Sequence, residues 1–369
     1  MSDPSLLPVL RVAGSHREVG QQIGEACAAA IHAAIDFGSE ATPRDGRTMA
    51  EQLSLAAEYR EFTARRLPYL VEELDGVAEA AGADPVRVFA ASIEEIWSSD
   101  DGPPGEAGGS AFGADRGRCT DLVAGPPATV DGAVLVAHNN DLDARVEPGL
   151  VAIEWHVDGE PQIFTIGTGP WISVGWNAAG LVLSGNELAP NDNRLGIPRL
   201  LLVREQLHHK TIAEATNAAL RPDRASAYNT IFADRDGKVV NIEGSATDSA
   251  TMTLNAAGTL VHTNHYVCGP MLGFEDDPDY AMRSERRLRR GTELMNEAAE
   301  EPGSLTEAGL IRMLGDHENA PDSLCRHPIP GDNAKTVFWC VTDAVAGGIT
   351  FGRGNPCNPA PQTFQFDMP

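Results

Sequence analysis

Apolar and polar positions alternate differently in the two parts of this 369-residue chain. In "SHREVGQQIGEACAAAIHAAID", Val19, Ile23, Cys27 and Ile31 recur every four residues, the spacing of one helix face. A second helix is predicted over about 49–66, ended by Pro68, and a third carries Leu70, Leu74 and Val77. A fourth opens at Asp84 with Pro85, a cap followed by a first-turn proline. The first hundred residues thus read as helical. Residues 98–118 follow, with six glycines and two prolines in 21 positions, and predict an exposed, mobile connector. From Cys119 the pattern shortens to strands near 119–124, 133–138, 150–156, 162–167, 172–176 and 181–186. Helices are expected at 198–209, 211–220, 281–298 and 305–314. Further strands are expected near 228–234, 238–243, 259–263, 336–342 and 348–352. Segregated helices and antiparallel strands predict a layered α+β fold.

Composition narrows the functional classes. The 42% of hydrophobic residues suffices for a substantial core. With 53 acidic against 28 basic residues the formal charge is −25, and no Lys/Arg-rich run reverses it locally, which argues against nucleic acid as a partner. No stretch approaches the roughly 20 apolar residues that span a bilayer. The N-terminus lacks a basic region followed by a long apolar one, so a cytoplasmic protein without membrane association is expected. The six cysteines form no C-x-x-C pair, which argues against a zinc ribbon or a thioredoxin-like site.

Candidate chemistry gathers at five places. Cys119 stands at the start of a strand, directly after the connector. If the Arg118–Cys119 bond broke, the new α-amine would sit on the same residue as the thiol and could act as its base. The bland alternative is a buried structural cysteine. In "VLVAHNNDLD" an apolar strand runs into His138, Asn139, Asn140 and Asp141, which reads either as a turn or as a carboxylate placed to hold that amine. The hairpin "WISVGWNAAGLVLSGNEL" ends its second strand on Asn186. In "LVHTNHYV", Asn264 is a neutral amide suited to donate to an oxyanion, with His262 and His265 on either side. In "MRSERRLRRG" a basic helix face is the ordinary reading, though one arginine could turn inward.

Together these segments resemble the isopenicillin-N acyltransferase (acyl-CoA:6-aminopenicillanic acid acyltransferase-like) family of cysteine N-terminal-nucleophile hydrolases. "VAGSHREVGQQIGE" is similar to that family's G-x-x-x-E-x-G-x-x-x-G opening, with Gly14, Glu18, Gly20 and Gly24. "RCTD" resembles the start of its mature chain at Cys119, and "AHNNDLD" its N-x-D pair at Asn139 and Asp141. "VGWNAAGLVLSGNEL" resembles a hairpin ending on Asn186. "HTNHY" resembles a T-N-H segment at Asn264, and "SERR" an S-x-x-R at Ser284 and Arg287. The chain differs at Arg118, where glycine is usual, and at Asn140, where tryptophan is frequent.

The resemblance implies a four-layer αββα sandwich of stacked antiparallel sheets flanked by helices. It also implies self-cleavage at Arg118–Cys119 into a 1–118 α chain and a 119–369 β chain that stay associated. Cys119 would be the nucleophile, Asp141 would position its amine, Asn264 would hold the oxyanion, and Asn186 and Arg287 would complete the site. The substrates would be a small acyl donor and water or an amine, with no cofactor or metal. Two alternatives stay open: a metal-assisted hydrolase using His138, Asp141, His262 and His265, and an uncleaved, inactive binding scaffold of the same fold.

Overall fold

The computed structural model describes residues 5–40, 46–97 and 119–366; the connector expected at 98–118, Arg118 included, lies outside them. The N-terminal part forms β1 (Val9–Gly14), α1 (His16–Ala26), α2 (Ala28–Glu40), α3 (Met49–Ala64), α4 (Pro68–Ala81) and α5 (Pro85–Ala90). After Cys119 come β2 (Thr120–Ala124), β3 (Leu135–Asp143), β4 (Leu150–Val157), β5 (Ile163–Thr168), β6 (Trp171–Asn177) and β7 (Val182–Asn186). The helices α6 (Arg199–His208) and α7 (Ile212–Ala219) lead to β8 (Asn229–Ala233), β9 (Val239–Gly244), β10 (Ser249–Met252) and β11 (Thr259–His262). The chain closes with α8 (Pro278–Ala299), α9 (Glu307–Leu314), β12 (Ala334–Asp343), β13 (Gly348–Arg353) and β14 (Gln362–Gln365).

The strands build two sheets, one of eight in the order β1-β4-β5-β6-β7-β8-β9-β10 and one of six in the order β11-β2-β3-β12-β13-β14. Alternation along each strand sends neighbouring side chains to opposite faces. Val123, Val136, Phe338 and Phe351 of the smaller sheet meet Phe164, Ile166, Val174 and Ile231 of the larger one in a single apolar layer. The outer face of the larger sheet, with Ile153, Trp155 and Phe232, packs on α1 and α3 to α6. The outer face of the smaller sheet, with Leu122, Ala137 and Trp339, packs on Met295 of α8 and on Leu310 and Leu314 of α9. Helices on both outsides of two stacked sheets make the αββα sandwich.

The N-terminal segment departs from the expected all-helical reading. β1 pairs in parallel with β4, from Val9 opposite Ala152 to Gly14 opposite Val157, so one edge of the sandwich comes from before Cys119. Only Val12 of β1 is buried, which leaves almost no alternation to read. The single helix expected through Val19 and Ile31 breaks at Cys27, which caps α1 with its N–H on the Ile23 carbonyl. The glycine spacing at the start of the chain has a packing cause. A Cβ at Gly20 would lie 2.0 Å from the Glu73 carbonyl oxygen and one at Gly24 2.4 Å from that of Val77, so α1 and α4 touch backbone to backbone. Ser15 and Glu18 form the reciprocal cap that starts α1. β10 and β14, both edge strands, were not anticipated either.

Candidate active site

β2 and β3 pair antiparallel with Asp121 opposite His138 and Thr120 opposite Asn139. The polar run His138–Asp141 therefore lies inside a nine-residue strand and does not turn the chain. Strand alternation sorts it into two faces. His138 and Asn140 share the inter-sheet face with Asp121 and Cys119. Asn139 and Asp141 take the other face, where Asn139 Nδ2 donates to the carbonyls of Leu314 (2.9 Å) and Leu324 (2.8 Å). Asp141 Oδ1 accepts from Thr336 Oγ1 at 2.6 Å. Asp143 caps the following turn and pairs with Arg145 at 3.0 Å.

Cys119 is 7% exposed, and its thiol receives Asn140 Nδ2 at 3.7 Å and a hydrogen bond from His138. His138 Nδ1 lies 3.1 Å from Asp121 Oδ1, and Ser184 Oγ on β7 of the opposite sheet also donates to that oxygen. Both His138 and Asp121 are buried. Burial alone would discharge the imidazole, but the Asp121 carboxylate and its hydrogen bond outweigh it and raise the His138 pKa to about 10. Burial pushes the Cys119 thiol up, while the His138 hydrogen bond and charge pull it down. Asp121 and Ser184 are site residues that sequence reasoning missed. The alternation of Cys119 and Asp121 on β2 against His138 and Asn140 on β3 is the signal that could have found them.

The other anticipated residues converge from separate elements. α8 carries a buried stripe of Tyr280, Ser284, Arg287, Gly291 and Met295, with the remaining arginines of "RSERRLRR" outward or half-exposed. Arg287 is the arginine that turns inward: Nη1 donates to the Cys119 carbonyl (2.6 Å) and Thr120 Oγ1 (3.1 Å), and Nη2 to Asn264 Oδ1 (2.9 Å). One turn earlier, Ser284 Oγ accepts the Asn264 backbone N–H at 2.7 Å. With its oxygen held by Arg287, Asn264 directs Nδ2 to the Glu187 carbonyl at 3.1 Å. Asn186 Oδ1 accepts from Asn229 Nδ2 at 3.1 Å and lies 2.9 Å from His262 Nδ1. Its Nδ2 is buried without a partner among the described residues.

A cavity of about 100 Å³ opens onto this cluster. Cys119, Asn140, Asn186 and Asn229 form its polar end, and Trp171, Ile172, Leu183, Leu200 and Val203 its apolar wall. Asn264 is not among the lining residues. Behind the lining residues Glu94, Glu187 and Tyr228, the buried Arg199 donates to Glu94 (2.8 Å) and Glu187 (2.9 Å) and stacks on Tyr228 at 4.5 Å. The four residues of the metal alternative do not converge. His138 is engaged by Asp121, His262 by Asn186 and Glu243, His265 by Ser284 and Asp141 by Thr336. No helix among the described residues is long and apolar enough to cross a membrane.

An αββα sandwich whose cavity ends on a cysteine at the head of a strand is the architecture of the N-terminal-nucleophile hydrolases. Residues 128–358 match the family model described as acyl-coenzyme A:6-aminopenicillanic acid acyl-transferase, a span that takes in Asp141, Asn186, Asn264 and Arg287. The chain belongs to that family and is an enzyme. Among solved structures it is similar to an N-acylethanolamine-hydrolyzing acid amidase ortholog from Caenorhabditis elegans. That match has 16% identity and a TM-score of 0.43, and covers 62% of this chain and 93% of that one. Two variants of the conjugated bile acid hydrolase from Clostridium perfringens match with 13% and 12% identity and a TM-score of 0.44. They cover 68% of this chain and 97% and 98% of theirs.

Proposed function

We propose that the chain is made as a precursor, cleaves itself between Arg118 and Cys119, and then transfers small acyl groups through an acyl-Cys119 intermediate. The observation that carries this reading is the setting of Cys119. Its thiol faces the cavity between a cationic imidazole and an amide, while Arg287 pins its own carbonyl.

In the precursor no α-amine exists, so the thiolate forms against the His138 imidazolium. The thiol's proton passes to solvent, the thiolate attacks the Arg118 carbonyl carbon, the C–N bond breaks, and the departing Cys119 amine takes a proton back from solvent. Water then hydrolyses the thioester, leaving a carboxylate on Arg118 and a free thiol. In the mature enzyme the α-amine, with an ordinary pKa of about 7.7–8, accepts the thiol proton. Asp141 lies near enough to Cys119 for its charge to oppose the thiolate, and its role is to hold the ammonium form of that amine. The thiolate attacks the substrate carbonyl. The oxyanion is met by amide N–H groups, with Asn186 the donor presented to the cavity and Asn264, held by Arg287 behind the lining, offering the Nδ2 proton that the Glu187 carbonyl leaves. The leaving group takes its proton from the α-ammonium. Water or an acceptor amine then releases the acyl group from Cys119.

The apolar wall suits an acyl chain, and the lining carboxylates of Glu94 and Glu187 suit a polar acceptor or leaving group. The segments 1–118 and 119–369 act as α and β chains of one structural unit. The six-residue pairing of β1 with β4 supports their staying together after the cut. Intact-mass spectrometry of the purified protein tests the reading. Pieces of 118 and 251 residues are expected, with an unmodified cysteine starting the larger, and Cys119→Ala should leave 369 residues uncut and inactive. A wild type that stays a single chain yet turns over substrate would refute the mechanism.

A further inference from the structure

Away from the cavity, four side chains meet that the acyl-transfer reading does not use. His317, Cys325 and His327 lie in the segment between α9 and β12, and Cys357 follows β13. Their ligand atoms all lie within 4.8 Å of one another. His327 Nε2 is 3.0 Å from His317 Nε2, 3.7 Å from Cys325 Sγ and 3.6 Å from Cys357 Sγ. A ring nitrogen offers one proton or one lone pair and cannot satisfy three such neighbours. A cation at the centre can, since each atom then turns its lone pair inward.

We propose that His317, Cys325, His327 and Cys357 bind one structural zinc ion. Tetrahedral zinc with N and S ligands at about 2.0–2.3 Å sets N···N at ~3.3 Å, N···S at ~3.6 Å and S···S at ~3.8 Å. The two N···S separations from His327 already match, and since all four ligand atoms lie within 4.8 Å of one another the set closes by side-chain adjustments of about an ångström. Two thiolates with two imidazoles select zinc over magnesium or calcium. Four protein ligands leave no open position for a substrate or water, which makes the site structural. The surroundings are built for it. Asn355 Nδ2 donates to Cys325 Sγ at 3.4 Å and to the Arg326 carbonyl at 2.6 Å. A Cβ at Gly315 would come within 3.3 Å of the Cys357 backbone, so glycine lets the two segments touch. The absence of C-x-x-C pairs argues against a zinc ribbon, but not against a site assembled from two loops.

The ion would fasten the loop that backs the active site. Leu324 O accepts from Asn139, and the Arg326 N–H donates to Thr336 Oγ1 at 3.0 Å, which in turn donates to Asp141.

Elemental analysis of the full chain, purified under reducing conditions and incubated with zinc, should give one zinc per chain. A Cys325→Ser/Cys357→Ser variant should bind none. Because that variant could misfold, the wild type is also stripped with a chelator and titrated with Co(II). Tetrahedral d–d bands with a thiolate charge-transfer band are expected, and zinc should displace them and restore the melting temperature lost on stripping. Wild-type protein that takes up neither metal, or a Cys325–Cys357 disulfide in reduced-purified material, would overturn the assignment.

Discussion

Replacing His138 with glutamine separates the electrostatic role of the imidazolium from the shape of the site. Glutamine keeps a donor toward Asp121 but carries no charge, while Asp121 remains fully buried. Two opposite charges about 4 Å apart attract by ~4 kcal/mol at an effective dielectric of about 20, an upper bound on what His138 gives a Cys119 thiolate. That corresponds to at most about three decades in thiolate population, since 1.36 kcal/mol is one pKa unit. Self-cleavage, followed by intact mass over time, and alkylation of Cys119 should both slow by ~10²–10³ in His138→Gln. Folding should suffer less, by about 1–3 kcal/mol, because a polar partner survives. Removing the partner altogether, in His138→Ala, should cost about 3–5 kcal/mol for the stranded carboxylate. The pH dependence has a definite sign. The folded His138 pKa, about 10, lies above the ordinary histidine value of 6.5. The stabilisation is therefore fully present below about 6.5 and is lost as pH rises toward about 10. Denaturant midpoints of the wild type should fall across that window, and those of His138→Gln should lose this component. A glutamine variant that cleaves and alkylates at wild-type rates would refute the charge argument.

Asn264→Ala and Asn186→Ala should each lower turnover by ~10²–10³ if both amides meet the oxyanion. Asn186→Ala should also lose ~1–3 kcal/mol of stability, because Asn229 and His262 lose their acceptor. Full activity in either variant removes that amide from the reaction. Asp141→Asn should abolish turnover, whereas Asp143→Asn should leave it intact and only loosen the cap over Arg145, as a melting curve would register. The reverse pattern would mean that Asp143, not Asp141, serves the amine.

What the sequence disclosed depended on how local each signal was. Cys119 was marked by the change from glycine-rich connector to strand, and Arg287 only by the resemblance of "SERR" to the family's S-x-x-R, since the basic run alone did not say which arginine turns inward. Asp121 and Ser184 had no such mark, because their partnership with His138 crosses from one strand to another and from one sheet to the other. Four consecutive polar residues at 138–141 look like a turn. They form strand because each finds a buried partner on its own face, which no local pattern records. β1 was hidden for a related reason: its pairing with β4 spans more than a hundred residues, and as an edge strand it buries only Val12. His317 and Cys357 stand forty residues apart, and only the meeting of two loops makes them neighbours.

The edge strand β1 also bears on the enzyme's lifetime. While the chain is whole, β1 reaches β4 as part of one molecule, at the modest entropic cost of closing a loop. Once the bond before Cys119 is gone, the same pairing has to be made between two molecules. That carries a translational and rotational cost of roughly 4–15 kcal/mol. Assembly is therefore easy before the cut and hard after it. A mature enzyme that unfolds has no ready way back, so its persistence is governed by how slowly it opens rather than by an equilibrium. Maturation in this reading is irreversible in the fold as well as in the backbone.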